Sequence, residues 1–310
     1  MPIALSTKNL CKKYGSHLVL KDLSLNVEKG SIYGFLGQNG AGKTTTIKLL
    51  SGLSSPTQGQ IFVEGLDMAS ESEKIKELLG LVPQDSGFYA ERTALSHMLY
   101  YGRLKGLNKK ASRKQAQLLL SRVGLATERL KKVGSFSHGM KTRLGIAQAL
   151  LNEPKILILD EPTNGLDPLG ARQIRQILKE CGNKGITIFL SSHKLLEVQE
   201  SCTHIGILDK GKLVAESTIE KLRHLEAGGL ITVGVYNLSS EIISLIEAQK
   251  FVIKTELKAR DLLEISVNSR KDVKPEINRL IVECGGRVFK LMENSLSLEE
   301  AYFEATGLKQ

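Results

Sequence analysis

The chain has 310 residues, 41% hydrophobic and 25% charged, with a formal net charge of +10; this is the balance of a globular protein with a full core and room for a second domain. Its longest aliphatic runs, such as ILIL at 156 to 159, fall far short of the roughly 18 apolar residues of a membrane span, and the start MPIALSTKNLCKKYG lacks a leader pattern, so a cytoplasmic protein is expected. Cys11, Cys181, Cys202 and Cys284 are scattered without a Cys-x-x-Cys pair, which argues for reduced structural thiols and against a disulfide framework or a zinc site.

Residues 3 to 33 alternate short β-like stretches with the turn signals KYGSH and EKGS, predicting a small sheet that feeds a buried strand, SIYGFLG. Next comes GQNGAGKT, which is Gly37, Gln38, Asn39, Gly40, Ala41, Gly42, Lys43 and Thr44, with Thr45 opening the rest of a helix, TTTIKLLSGL. The pattern G-x-x-x-x-G-K-T between a strand and a helix is a phosphate-binding loop. Glycines let backbone N–H groups turn inward around a phosphate, and the helix start adds the positive end of its dipole. Lys43 is placed to reach the β and γ phosphates, and the Thr44 hydroxyl to coordinate Mg²⁺.

GQIFVEGLDM reads as a hairpin-like strand pair and LLGLVPQ as a further apolar strand. From about 92 to 151 the spacing turns helical, in TALSHMLYYGRLKGL, KKASRKQAQLLLSRVGL and GMKTRLGIAQALL, so a helical insertion is expected. Between Arg103 and Arg143 twelve Lys or Arg face one acidic residue, Glu128, a net of +11 in a chain of +10. Such a face suits an anionic neighbour, either nucleic acid or lipid headgroups, and charge alone does not separate these from a solvated helical surface.

KILILD (155 to 160), ITIFLSS (186 to 192) and HIGILDKGKLVAE (204 to 216) return to continuous apolar strands separated by helices, the pattern of a parallel sheet covered on both faces. ILILDEP ends its strand in two carboxylates at the edge where such sheets bind ligands. Asp160 is suited to hold Mg²⁺ through water, and Glu161 to polarise an attacking water as general base. Alone, an Asp-Glu pair at a strand end is a cap or a turn; the phosphate loop upstream gives it meaning.

After a charged helix near TIEKLRHLEAGG (218 to 229) the order is strand, helix, two strands, helix, strand and a last helix, SLEEAYFEATG. The βαββαβ part is compatible with a ferredoxin-like domain, with Gly228 and Gly229 at its boundary.

Taken together, the 37 to 44 loop, Gln84 in VPQD, SHGMKTRLGIAQALLNEPKILILDEPTNGLDP and the SSH that ends at His193 resemble the nucleotide-binding subunit of ATP-binding-cassette (ABC) transporters over about residues 3 to 218. NGLDP and the tail LEEAYFEATG look more narrowly like the ATPases of multidrug, bacitracin-type and lantibiotic-immunity exporters. The resemblance implies an α/β P-loop NTPase at 1 to 218, with a RecA-like parallel core, an N-terminal antiparallel β subdomain and the helical segment at about 92 to 151. A linker at 219 to 229 and a small α+β ferredoxin-like domain at 230 to 310 complete the expected organisation.

The same resemblance assigns roles. Tyr14 stacks on adenine, Gln84 contacts Mg²⁺ or the water, His193 contacts the γ-phosphate and orients Glu161, and Asp167 couples one site to another. It implies ATP and Mg²⁺ as cofactors, and a homodimer in which one copy's phosphate loop and the other's Ser137 and Gly139 close on one ATP. It also implies a separate multi-span permease, contact of the basic face with anionic lipid, and a place on the cytoplasmic face of the membrane. No nucleic acid is expected. A soluble ABC-family ATPase acting on ribosomes or nucleic acid is the alternative, although this chain has a single cassette and no long coiled-coil insertion. A non-hydrolysing binding module conflicts with the intact Lys43, Thr44, Asp160, Glu161 and His193.

One departure stands out. The family signature L-S-G-G-Q is here Phe136, Ser137, His138, Gly139 and Met140. Ser137 and Gly139 are retained, whereas His138 puts a titratable ring where a glycine is usual, so that it either weakens closure or adds a donor to the phosphate when protonated.

Overall fold

The computed structural model describes residues 2–85, 87–221, 230–267, 269 and 272–294, and the chain divides into two compact units, Met1–Ser217 and Thr218–Gln310. In the first, β1 (Ile3–Tyr14) and β2 (His17–Glu28) precede β3 (Ile32–Leu36) and α1 (Lys43–Leu50). Then come β4 (Gln58–Val63), β5 (Leu66–Asp67), α2 (Ser72–Leu78) and β6 (Leu79–Val82). A helical stretch holds α3 (Ala94–Leu104), α4 (Lys109–Arg122) and α5 (His138–Ala149). β7 (Ile156–Leu159), α6 (Pro168–Asn183), β8 (Thr187–Ser192), α7 (Leu195–Ser201), β9 (His204–Asp209) and β10 (Lys212–Thr218) follow.

An antiparallel four-stranded sheet, β2-β1-β4-β5, accompanies a six-stranded sheet of order β10-β9-β3-β8-β7-β6, whose β3, β6, β7, β8 and β9 run parallel. Every residue of β3, β7 and β8 is buried, which is why these strands read as continuous apolar runs without alternation. Parallel strands share one carboxyl edge, so the loops after β3, β6, β7 and β8 all leave there. Those four loops carry the phosphate-loop sequence, Gln84, the carboxylate pair and His193; the topology itself gathers them. Beneath that edge Tyr33 stacks on Phe189, with ring centroids 5.5 Å apart. The Tyr33 hydroxyl donates to Glu216 Oε1 at 2.6 Å; burial first, and then the Glu216 charge, push the phenol well above its ordinary range.

One helix was not foreseen and one strand reading needs correction. SEKIKEL forms α2, which periodicity did not suggest because the helix is seven residues long and buries only Ile75. HIGILDKGKLVAE is not one strand: Lys210 and Gly211 take φ of 43° and 82°, and a two-residue turn joins antiparallel strands only. β10 therefore returns beside β9 as an edge strand whose burial alternates. All four cysteines are free thiols.

In the helical stretch, Thr93 caps α3 and Asn108 caps α4 through their side chains. Several of the clustered cations serve the fold. Lys105 Nζ donates to the carbonyls of Ala149 and Leu151 at 3.2 and 3.0 Å, and Arg143 to those of Val123 and Gly124 at 3.1 and 3.2 Å; both close the carbonyl end of a helix. Arg103, Lys109, Lys110, Arg113 and Lys114 lie exposed at the α3–α4 corner.

His97 of α3 is completely buried. Its Nε2 lies 2.7 Å from Gln148 Oε1, while its Nδ1 is buried without a hydrogen-bond partner. Burial lowers its pKa, opposed in part by the Gln148 bond. The unfolded chain thus takes up a proton near the ordinary value of about 6.5 before the folded chain does. Stability is full above that pH and declines as the pH falls below it. Between pH 7 and 5.5 the urea midpoint of the parent is expected to fall more steeply than that of His97→Gln, whose amide does not titrate; equal slopes would contradict this.

The second unit contains β11 (Leu230–Tyr236), α8 (Ser240–Glu247), β12 (Val252–Ala259), β13 (Leu262–Val267), α9 (Lys274–Glu283) and β14 (Arg287–Asn294), an order of βαββαβ. Its sheet has the order β12-β13-β11-β14 and is antiparallel throughout. Ile242 and Ile246 of α8 and Ile277 and Ile281 of α9 pack on Ile231, Val233, Val235, Leu263 and Ile265. The expected Gly228–Gly229 boundary and the SLEEAYFEATG helix lie outside the described residues.

Candidate functional site

The loop from Gly37 to Thr44 joins β3 to α1. Its close packing explains two of the glycines: a Cβ on Gly37 would sit 2.6 Å from the Leu208 carbonyl oxygen, and Gly42 has φ of 114° with a Cβ position 2.7 Å from Leu20 Cδ2. Gly37 N donates to the Ser192 carbonyl at 3.2 Å and Ala41 N to that of Gln38 at 3.1 Å. No side chain caps α1, in contrast to α3 and α4, so its first-turn N–H groups are available to an anion.

The loop opens on a cleft of about 580 Å³ lined by Asn39, Gly40, Gly42, Lys43, Thr44 and Thr45, and also by Gln84, Glu161, Asn164 and His193. Lys43 is buried; its Nζ donates to the carbonyls of Gly37 and Gln38 at 2.8 and 3.2 Å and lies 3.1 Å from Glu161 Oε1. The other Glu161 oxygen, Oε2, lies 2.5 Å from His193 Nδ1. Glu161 has φ of 49°, a left-handed conformation of the kind that collects at functional sites, and its carboxylate is 8% exposed. A nearly buried carboxylate between an ammonium and an imidazole can accept a proton and hand it on.

Sequence reasoning overlooked the residue that steadies this pair. Ser191 Oγ donates to Asp160 Oδ1 at 2.7 Å and accepts from the Glu161 backbone N–H at 2.9 Å. The serine in SSH was visible, but its partners depend on β8 lying beside β7. His17 and Val19 of β2, also unforeseen, line the same cleft. Tyr14 pairs with His17 across the β1–β2 turn; it is 48% exposed, with Lys12 Nζ 4.9 Å from its ring centroid.

The donors expected for Mg²⁺ are hard oxygens. Asp160 is 3% exposed, and Ser191 occupies only one of its two oxygens. Gln84 borders both the 580 Å³ cleft with Thr44 and a neighbouring cleft of about 220 Å³ with Asp160. No cluster of three His, Cys, Asp or Glu fit for a metal occurs among the described residues. The donor set therefore suits a cation completed by water and phosphate.

Ser137, Gly139 and Asp167 line a separate cleft of about 350 Å³. Ser137 Oγ caps α5, accepting from Met140 N at 3.3 Å, and Asp167 caps α6, accepting from Gly170 N at 2.9 Å. His138 turns toward neither phosphate loop nor solvent alone: its Nε2 donates to the Asn164 carbonyl at 3.0 Å, and the ring lies 3.7 Å from the Cβ position of Gly165. A carbonyl only accepts, so Nε2 carries the hydrogen in this contact.

The family model described as ABC transporter matches residues 20–164. The bacitracin transport ATP-binding protein BcrA of Bacillus licheniformis is 38% identical over 308 residues, covering 99% of this chain and 98% of that protein. The linearmycin resistance ATP-binding protein LnrL of Bacillus subtilis is 33% identical over 309 residues, 98% of each. Among solved structures, an ATP-binding subunit of an ABC transporter matches with a TM-score of 0.65 and 32% identity, over 71% of this chain and 92% of its own. The cassette MJ0796, in a dimeric post-hydrolysis state with ADP and Pi, matches with a TM-score of 0.64 and 27% identity, over 69% of this chain and 98% of its own.

Proposed function

We propose that this chain, which belongs to the ABC transporter ATP-binding proteins, is the ATP-hydrolysing subunit that powers export of an antibiotic or peptide through a separate membrane permease. The observation that carries the reading is the meeting of Lys43, Glu161 and His193 in one cleft beside the uncapped start of α1. The exporter class is supported by the bacitracin and linearmycin proteins, which match over nearly the whole chain.

In this reading the N–H groups of Asn39 to Thr45 receive the β and γ phosphates, and Lys43 exchanges Glu161 for phosphate oxygen. Thr44, Gln84 and Asp160 hold Mg²⁺, which would neutralise charge on the phosphates. Glu161 takes the proton of the attacking water, and His193 fixes the carboxylate and contacts the γ-phosphate. Ser191 positions both carboxylates from β8, and Tyr14 offers its exposed ring to adenine.

Ser137 and Gly139 act on the nucleotide of a second copy, as the separate cleft they share with Asp167 allows, and two copies form two composite sites. The exposed cations at the α3–α4 corner meet anionic lipid headgroups. No helix among the described residues is long and apolar enough to cross a membrane, in keeping with a permease on another chain.

Purified protein should hydrolyse ATP only with Mg²⁺, and the tagged protein should be recovered from membranes with a multi-span partner. Recovery with ribosomes instead would overturn the export reading, and absence of Mg²⁺-dependent turnover with the partner present would overturn the site assignment.

A further inference from the structure

At the edge of the six-stranded sheet opposite the phosphate loop lies a further cleft, of about 660 Å³. Its walls are residues that precede β3 (Lys29), β7 (Pro154 and Lys155) and β8 (Lys184, Gly185 and Ile186), together with Gln115, Leu118, Leu119 and Arg122 of α4. We propose that this cleft binds a small amphipathic anion, an oxyanion head carried on an apolar body.

The volume falls within the range of small-ligand sites. The charges in it are unbalanced: Lys29, Arg122, Lys155 and Lys184 face Glu64 and Glu153. Lys29 and Glu64 satisfy each other at 2.6 Å, whereas neither Lys155 nor Lys184 forms an ion pair among the described residues. Arg122 reaches Cys181 Sγ at 3.3 Å through one terminal nitrogen, but its Nε is buried with no hydrogen-bond partner. The guanidinium borders the cleft without an ion-pair partner among the described residues, and an oxyanion is the acceptor that suits it. Gln115 Oε1 accepts from Asn152 N at 2.9 Å, which leaves its NH₂ as a further donor.

Apolar side chains line the same cleft. Leu118 is 64% exposed and lines the cleft with Leu119, Leu150 and Ile186, a surface that water and a bare inorganic anion both leave unsatisfied. An occupant with both parts would bridge Arg122 on α4 and the lysines at the amino edge of the sheet.

The test uses the full chain with its phosphate loop filled by saturating ADP and Mg²⁺, titrated calorimetrically with octyl phosphate, inorganic phosphate or octyl glucoside below micelle-forming concentrations. Octyl phosphate is expected to bind one to one, at least ~10-fold more tightly than either control. Changing Lys155→Glu and Lys184→Glu together, at exposed positions that threaten no packing, should weaken octyl phosphate by at least ~10-fold and leave ATP turnover unchanged. The proposal fails if octyl phosphate does not bind, if octyl glucoside binds as tightly, if inorganic phosphate binds as tightly, or if the double variant binds like the parent.

Discussion

Replacing Glu161 by Gln is expected to slow ATP hydrolysis by roughly 10²- to 10⁴-fold, the usual contribution of a general base, while ATP still binds at least as tightly as to the parent. Glutamine keeps the size of the side chain but cannot take a proton from water. The binding half of the expectation comes from the geometry. Glu161 Oε1 lies 3.1 Å from Lys43 Nζ and competes with phosphate oxygen for that ammonium; removing its charge releases Lys43 to the nucleotide. Single-turnover hydrolysis with equilibrium ATP binding separates the two effects. Unchanged turnover would remove Glu161 from the chemistry, and lost binding would assign it to affinity.

Lys43→Ala is expected to act at the other end of the cycle, costing about 2–5 kcal/mol of ATP affinity, the range for truncating one partner of a buried charged contact, or roughly 30-fold and upward in Kd. The lysine is buried and held by two loop carbonyls and a carboxylate, so its position beside the phosphate path is set by the fold. Arginine is no substitute, because a planar fork cannot occupy the place of a compact ammonium between the Gly37 and Gln38 carbonyls. Nucleotide titration with a far-ultraviolet circular dichroism control measures this; a folded variant that binds like the parent would refute it.

What the sequence disclosed and what it withheld follow one physical division. Strands buried on both faces lose their alternation, so IYGFL, ILIL and TIFLSS announce a parallel sheet, and parallel strands send their loops to one edge. Lys43, Asp160 and Glu161 could therefore be gathered on paper before any coordinate was known, whereas His193 was implied only by the family resemblance. Contacts that depend on neighbouring strands or on loop closure could not. The two bonds of Ser191 require the β7–β8 pairing, and His138 finds Asn164 across 26 residues of chain. The helix α2 escaped because its seven residues, with one buried, are too few to display a period. The Lys210–Gly211 turn escaped because a strand run gives little sign of folding back until the residues with positive φ are seen.

The Ser191 hydroxyl has a bearing on how much positional error the site can absorb. It stands on β8, between β3, which leads into the phosphate loop, and β7, which ends at Asp160. Two residues beyond it on the same chain is His193. A small slide of β8 would therefore carry Asp160, Glu161 and His193 in the same direction, so that their displacements are correlated and their mutual spacing varies less than the strand itself. Substitutions along β8 that shift the backbone by a fraction of an ångström should be forgiven more readily than the loss of this one oxygen, which would untie the Asp160 carboxylate and the Glu161 backbone from β8.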